Sequence, residues 1–249
     1  MEEHKTDRTL LVYGDCIEYI KSMEDGTIDA CISDLPYEHV MGGMKSKLNS
    51  GTWHSESYVN TKMSNFGEDK IKEFLDVVIP KMKKVNMFLF CSKLQIKHYM
   101  VYCAEHKLKY DVLVWDKSKN GRYGIKSSKF FAQDIEYVIR IYEDGVSLKK
   151  VMKDGKVDST YYLKRQNYEQ PHGLHESMKP VELLMKYVRV STNECDIVLD
   201  PFMGSGSTGE ACLRLNRNFI GIENNKKYYD IAVNRLSMVC EQQEFDFGG

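Results

Sequence analysis

The stretch Asp200-Pro-Phe-Met-Gly-Ser-Gly-Ser-Thr-Gly209 limits what this chain can fold into more than any other. The apolar run Ile197-Val-Leu199 enters it as a buried strand would, and Glu210 to Leu215 leaves it as a helix. Gly204-x-Gly206-x-x-Gly209 is then a strand-turn-helix glycine signature, in which glycine lets the backbone turn sharply and approach a ligand. Taken alone, the pattern also suits a tight turn packed under a helix. A second strand, Phe219-Ile-Gly-Ile222, ends in Glu223. An acidic residue about 20 positions past the first glycine is placed to hold ribose hydroxyls, so a nucleoside-bearing cofactor is expected across the two strand ends. No lysine follows the glycines, as a phosphate-cradling loop would require. The unit begins at residue 197 of 249, so the strands that complete its sheet are expected from the N-terminal side. That order is rotated relative to the ordinary doubly wound plan, and a nicotinamide enzyme would place the unit early instead.

Composition narrows the class. With 42% hydrophobic and 29% charged residues, 249 residues suit one domain, 1–249, with a full core. No apolar run reaches membrane-spanning length, and Met-Glu-Glu-His-Lys is unlike a signal peptide, so a cytoplasmic location is expected. The seven cysteines are scattered and odd in number, which predicts reduced core residues rather than disulfides or metal ligands. A net charge of −1 means that any nucleic-acid footprint is local.

The N-terminal half supplies the missing strands. Thr9–Tyr13 reads as a strand closed by Gly14-Asp15, with a helix over Ile17–Met23. Asp15 stands where open α/β sheets hold ligands, but read in isolation it is better explained as the cap of the following helix. Ile28–Ile32 is a strand running into Ser33-Asp34-Leu35-Pro36-Tyr37. A cap and a turn explain Asp34 and Pro36 but give Tyr37 no task. Residues 38–65 lack a period and read as a long loop. Then come a helix over Asp69–Lys83 with Ile71, Phe74, Leu75 and Val78 inward, a strand at Asn86–Phe90, a helix over Leu94–Glu105, and strands at Tyr110–Trp115 and Asp134–Tyr142. Between the last two lies a basic run, Lys117, Lys119, Arg122, Lys126 and Lys129, which suits a solvated loop or phosphate contacts equally. Pro180 opens a helix with Val181, Leu184 and Val188 inward, and a final helix runs from Lys226 to Val239 before a frayed tail.

Asp34-Leu-Pro-Tyr37 resembles the Asp-Pro-Pro-Tyr motif of amino-group DNA methyltransferases, and Asp200-Pro-Phe-Met-Gly-Ser-Gly206 resembles their S-adenosylmethionine motif. Lys179-Pro180 resembles a third landmark of that family. With the catalytic motif first and the cofactor motif last, the order matches the circularly permuted β class, over Leu10 to Leu236. Leu35 replaces the first proline of the motif; the family uses that residue's backbone carbonyl, which leucine also supplies.

The resemblance implies a Rossmann-like α/β methyltransferase fold: a mixed, mostly parallel sheet with helices on both faces. In it, Ile197–Leu199 is central, and Leu10–Tyr13 lies beyond Phe219–Ile222. Target-recognition insertions are expected at 38–65 and 117–174. The catalytic residues implied are Asp34, Leu35, Pro36 and Tyr37. For S-adenosylmethionine they are Asp15, Asp34, Ser177, Lys179, Asp200, Phe202, Gly204, Ser205, Gly206 and Glu223. Within that set Glu223 takes the ribose, Asp15 the adenine amino group, and Ser177 and Lys179 the methionine carboxylate.

The acceptor implied is double-stranded DNA, with a homodimer and a cognate restriction endonuclease among the partners allowed. Adenine-N6 is favoured over cytosine-N4 because the cytosine enzymes of this class more often begin the motif with Ser. DNA is favoured over RNA because permuted RNA adenine enzymes usually carry Trp at the position of Tyr37. Two readings from other classes are a nicotinamide-dependent oxidoreductase, which leaves Asp34 to Tyr37 unexplained, and a non-catalytic DNA-binding relative, against which both intact motifs speak.

If the basic run contacts phosphate, changing Lys117, Lys119, Arg122, Lys126 and Lys129 to Gln weakens duplex binding and flattens its salt dependence, by about one unit of slope per lost contact. Titrating duplex DNA at several salt concentrations measures this; a wild-type slope would make the run a solvated loop.

Overall fold

Successive residues of the inner strands alternate between two buried cores, which requires a sheet covered on both faces. The computed structural model describes residues 1–37, 66–116, 135–149 and 178–247, with strand pieces at 125–127, 130–131, 152–153 and 156–157. In chain order these form β1 (Glu2–Lys5), β2 (Thr9–Tyr13), α1 (Cys16–Ser22), β3 (Ala30–Asp34), α2 (Glu68–Val78), β4 (Asn86–Cys91), α3 (Ile96–Glu105) and β5 (Lys109–Asp116). There follow β6 (Ile125–Ser127), β7 (Phe130–Phe131), β8 (Ile135–Tyr142), β9 (Met152–Lys153), β10 (Lys156–Val157), α4 (Val181–Ser191), β11 (Ile197–Asp200), α5 (Ser207–Arg214), β12 (Asn218–Glu223) and α6 (Lys226–Phe247).

Eight strands make one sheet in the order β1-β2-β12-β11-β3-β4-β8-β5. The run from β2 to β4 is parallel, whereas β1 and β8 are antiparallel to their neighbours. Because β5 pairs antiparallel with β8, it points the same way as β4. The expected arrangement is present: β11 is interior, and β2 lies beyond β12, so the N-terminal strands complete the C-terminal unit's sheet. The pairs β6–β7 and β9–β10 are separate two-stranded sheets.

One core joins Val12, Cys31, Met87, Leu89 and Leu199 to Ile20, Phe74, Leu75, Val78 and Tyr99 of α1, α2 and α3. The other joins Leu11, Ile32, Phe88, Phe90 and Val198 to Leu184, Val188, Cys212, Ala232 and Leu236 of α4, α5 and α6. Each fully buried aliphatic or aromatic side chain contributes about 1.5–3 kcal/mol relative to exposure, so the two faces hold the sheet from opposite sides. None of the seven cysteines is in a disulfide, and five of them are buried.

Three boundaries differ from expectation. The edge strand β1 is absent from the sequence reading, because Glu2-Glu-His-Lys carries no apolar alternation; its register, Glu2 opposite Tyr13 through Lys5 opposite Leu10, comes from pairing with β2. The helix expected over Asp69–Lys83 gives way at Ile79–Lys81 to a single 3-10 turn containing Pro80, which has no N–H for the helical ladder. The last helix continues past Val239 to Phe247, since Glu241-Gln-Gln-Glu contains good helix formers and no breaker precedes Gly248.

The third glycine of the signature is a packing requirement. A Cβ on Gly209 would lie 2.6 Å from Leu236 Cδ1 and 2.8 Å from the Phe219 ring, so α5 approaches β12 and α6 only without a side chain there. Gly209→Ala should therefore lower stability by about 1–3 kcal/mol. Thermal melting should show a drop of about 2–4 °C for each kcal/mol lost; an unchanged or higher Tm would contradict this packing.

Candidate active site

The parallel strands β2, β3, β11 and β12 end on one edge of the sheet, which brings together Asp15, Asp34, Asp200 and Glu223 from distant parts of the chain. Asp200 is the post between two of these ends. Its Oδ1 accepts from Ser33 Oγ at 2.7 Å and from the Phe202 N–H at 3.1 Å, which ties the end of β3 to the turn after β11. Burial pushes its carboxyl up to about 6, while hydrogen bonds from Thr208, Ser33 and Phe202 pull the other way. Asp200 is 3% exposed, so it shapes the turn from inside and does not present a carboxylate to a ligand.

The turn itself uses left-handed backbone at Gly204 (φ 52°) and Gly206 (φ 81°). Space around the two differs. A Cβ on Gly204 would meet nothing within 4 Å, whereas one on Gly206 would lie 3.2 Å from Ala232. Ser205 is buried, and its carbonyl accepts from Arg235 Nη1 at 3.2 Å. The ring of Phe202 packs edge-on against Phe66 at 5.7 Å. Of the expected cofactor-binding turn residues, Gly204 therefore opens outward, and Ser205 and Gly206 turn toward the protein.

Glu223 stands beside that opening. Its Oε2 accepts from the Gly204 N–H at 3.0 Å and its Oε1 from the Asn225 N–H at 2.7 Å. Burial raises its carboxyl, and these backbone donors oppose the rise. With the Asn224 N–H a third backbone donor, the carboxylate still has acceptor capacity left, since its two oxygens offer about four lone-pair sites. The Gly14 N–H donates to the Glu223 carbonyl at 3.0 Å, which brings Asp15 next to this end of β12. Asp15 Oδ1 accepts from the Glu18 N–H at 3.0 Å, so it does cap α1, with its side chain at the same edge. An open glycine face next to a half-engaged carboxylate fits the nucleoside-bearing group that the sequence implied.

Asp34 ends β3, and three groups converge on it. Lys179, just before α4, donates to Asp34 Oδ2, and its ammonium also lies 3.4 Å from Glu136 Oε2 on β8. The Tyr37 hydroxyl donates to the same Glu136 oxygen at 3.3 Å. The Lys179 ammonium sits over the Phe90 ring at 5.1 Å and the Tyr37 ring at 5.9 Å. Asp34 Oδ1 is buried and has no hydrogen-bond partner among the described residues.

Burial drives the Asp34 carboxyl above its usual range even though Lys179 pulls it down. Burial alone would drive Lys179 down, but Asp34 and Glu136 outweigh it and keep the ammonium charged. Burial, Asp34 and Glu136 together push Tyr37 far up, so its hydroxyl stays a neutral donor. Lys179 was expected at a methionine carboxylate with Ser177. In the structure the part-buried carboxylates of Asp34 and Glu136 hold the ammonium, and Ser177 lies outside the described residues.

Two residues escaped the sequence reading. Gln95, fully buried ahead of α3, donates from Nε2 to the carbonyls of Pro36 and Phe66, each at 2.9 Å, and accepts from the Ser92 N–H at 2.9 Å. It thereby fixes the backbone of the Asp34–Tyr37 loop, and nothing in its sequence surroundings marks it. Glu136 had a signal, because it is an acidic residue within the largely apolar strand Ile135–Tyr142. Register places it opposite Trp115, two residues beyond the Val138 that aligns through Phe90 with Asp34. The end of Tyr110–Trp115 thus lies on the edge of Asp34, as expected. Leu35 is buried beneath the loop. Lys117, Lys119, Arg122 and Lys129 lie outside the described residues, and Lys126 is described only as backbone in β6.

Among the described residues, no group of three His, Cys, Asp or Glu side chains is arranged to hold a metal ion.

Residues 28–234 match a DNA methylase family, N6_N4_Mtase. The type II methyltransferase M2.DpnII of Streptococcus pneumoniae is 28% identical over 251 residues, covering 94% of this chain and 91% of that protein. The type II methyltransferase M2.MboI of Moraxella bovis is 26% identical over 263 residues, covering 97% and 92%. The crystal structure of an M1.HpyAVI–SAM complex superposes with a TM-score of 0.63 at 26% identity, covering 92% of this chain and all of that one. The sheet order, the paired strand-end motifs and the match over most of its length agree: the chain belongs to the N6_N4_Mtase family of DNA methylases.

Proposed function

We propose that this chain transfers a methyl group from S-adenosylmethionine to the exocyclic amino group of a flipped-out DNA base, and that the base is adenine, modified at N6. The observation that carries the reading is the state of Asp34: one oxygen is held by Lys179, and the other is a buried acceptor with no described partner, next to Pro36 and Tyr37. One strand away stands the open Gly204 turn with Glu223.

The chemistry needs this arrangement. An exocyclic amino group is a poor nucleophile because its lone pair is delocalised into the ring. Asp34 Oδ1 and the Leu35 carbonyl accept its two hydrogens, which orients the group and turns the nitrogen toward a tetrahedral form. When bound, S-adenosylmethionine supplies a methyl group on a positively charged sulfur, and the carbon–sulfur bond breaks with its electron pair left on sulfur. The nitrogen lone pair forms the new bond, and the surplus proton passes to Asp34 Oδ1, whose raised carboxyl suits it as a base. Most of the acceleration is positional. Tyr37 offers a flat face to the base, which leaves the duplex because its amino group is unreachable in the stack. Glu223 accepts from ribose hydroxyls, and the bare face of Gly204 admits close approach.

Adenine is favoured because the motif opens with Asp34 where cytosine-N4 enzymes more often carry Ser. Segments 38–65 and 117–174, with the basic run, are assigned to DNA contact and target recognition. A homodimer, a cognate restriction endonuclease and a cytoplasmic location complete the proposal. No described helix is long and apolar enough to cross a membrane.

Two measurements test the site. Asp34→Ala should abolish methyl transfer yet leave a folded protein, because Lys179 keeps Glu136 as a partner. Tritiated-methyl incorporation into unmethylated genomic DNA and thermal melting, measured together, decide it; full activity, or loss of the folded state, refutes the role. By calorimetry, the wild type should bind S-adenosylmethionine in the micromolar range or tighter and NAD poorly, with Glu223→Ala weakening the former about tenfold or more. Tight NAD binding without S-adenosylmethionine binding would overturn the cofactor.

A further inference from the structure

We infer that Glu136 is a positioning residue for methyl transfer: it shares the Lys179 ammonium with Asp34 and takes the Tyr37 hydroxyl, which leaves one Asp34 oxygen open to the amino group. The inference rests on the methyl-transfer reading above. Three separate parts of the chain bring the Tyr37, Glu136 and Lys179 side chains together. Glu136 Oε2 lies 3.4 Å from Lys179 Nζ and 3.3 Å from the Tyr37 hydroxyl. The Lys179, Glu136 and Asp34 side chains are 10%, 20% and 30% exposed, so water screens the ammonium least and the carboxylates in part.

Charge balance explains why a second carboxylate is useful there. Asp34 and Lys179 alone form a neutral pair, in which a buried ammonium would draw on both carboxylate oxygens. Adding Glu136 makes the group of two carboxylates and one ammonium net −1. The amino nitrogen gains positive charge as the methyl group is transferred, and a net negative, preorganised pocket stabilises that charge where a neutral pair would not. Glu136 also restrains the Tyr37 ring through its hydroxyl, so the acceptor atom and the stacking face are set by one carboxylate. It acts through Lys179 and Tyr37 and touches neither reacting atom.

The test uses the full chain with S-adenosylmethionine and unmethylated genomic DNA. Glu136→Gln keeps the shape and loses the charge. Its kcat should fall about tenfold or more, with KM for S-adenosylmethionine within about twofold. The acid limb of its pH–rate profile should move to lower pH. The sign follows from the groups facing Asp34: Lys179 and the Tyr37 hydroxyl lower its pKa and Glu136 raises it, Cys91 of β4 and Asp200 of β11 keep their contacts, and a Tyr37 hydroxyl released from Glu136 only lowers it further. Glu136→Asp restores the charge with a shorter reach; it should recover part of the rate and keep the wild-type acid limb. A Gln variant with wild-type kcat, a rate loss with an unmoved acid limb, or an Asp variant no better than Gln overturns the inference. The wild type and Asp34→Ala run alongside separate two failures. An inactive wild type removes the methyl-transfer reading itself, whereas an active wild type with an indifferent Glu136→Gln removes only this inference.

Discussion

The Lys179 ammonium, buried between Asp34 and Glu136, is the interaction on which the site depends. It joins the end of β3, the start of β8 and the entry to α4, three places that the chain reaches at residues 34, 136 and 179. A charge removed from water survives only with partners, and a single carboxylate would leave a neutral pair. Two partners leave a net negative pocket, and one Asp34 oxygen has no hydrogen-bond partner among the described residues. Such an acceptor costs stability, on the order of 1–3 kcal/mol, and persists where a substrate completes it.

The neighbouring half of the edge is built differently. Around the glycine turn, charge plays little part, and backbone geometry does most of the shaping. Asp200 is withdrawn into the protein to anchor β3 against β11, and Glu223 is aligned by the N–H groups of Gly204 and Asn225. The sheet ties the two halves together, because β3 and β11 are direct neighbours. A shift in one strand would therefore displace both Asp34 and the glycine turn beside Glu223. Gln95 serves the same end from below by holding the Pro36 carbonyl.

The rotated chain order explains how so late a unit forms a full sheet. β11 and β12 provide two strands, and β2 and β3 flank them from the beginning of the chain. Right-handed parallel connections and burial on both faces leave few other arrangements for these apolar runs. The edge strands are more tolerant: β1 is charged, and on β5 Tyr110, Val112 and Val114 remain part exposed.

Much of this was legible in the residues. Strand and helix identities follow from apolar runs such as Asn86–Phe90 and from helical spacing at Ile71, Phe74, Leu75 and Val78, all buried as expected. The two motifs stood out because their residue types exceed what a cap or a turn requires. What the sequence could not determine is which polar groups share a proton or a charge. Asp200 and Glu223 are both acidic residues at or just past a strand end, yet one faces inward and the other lies at an opening. Lys179 was legible as a landmark but not as a partner of Asp34, since 145 residues separate them. Glu136 and Gln95 acquire their roles only from register and packing. Local pattern determines which face of an element is apolar. Only the tertiary structure decides which charges meet, because an ion pair or a buried hydrogen bond leaves no periodicity in the chain that forms it.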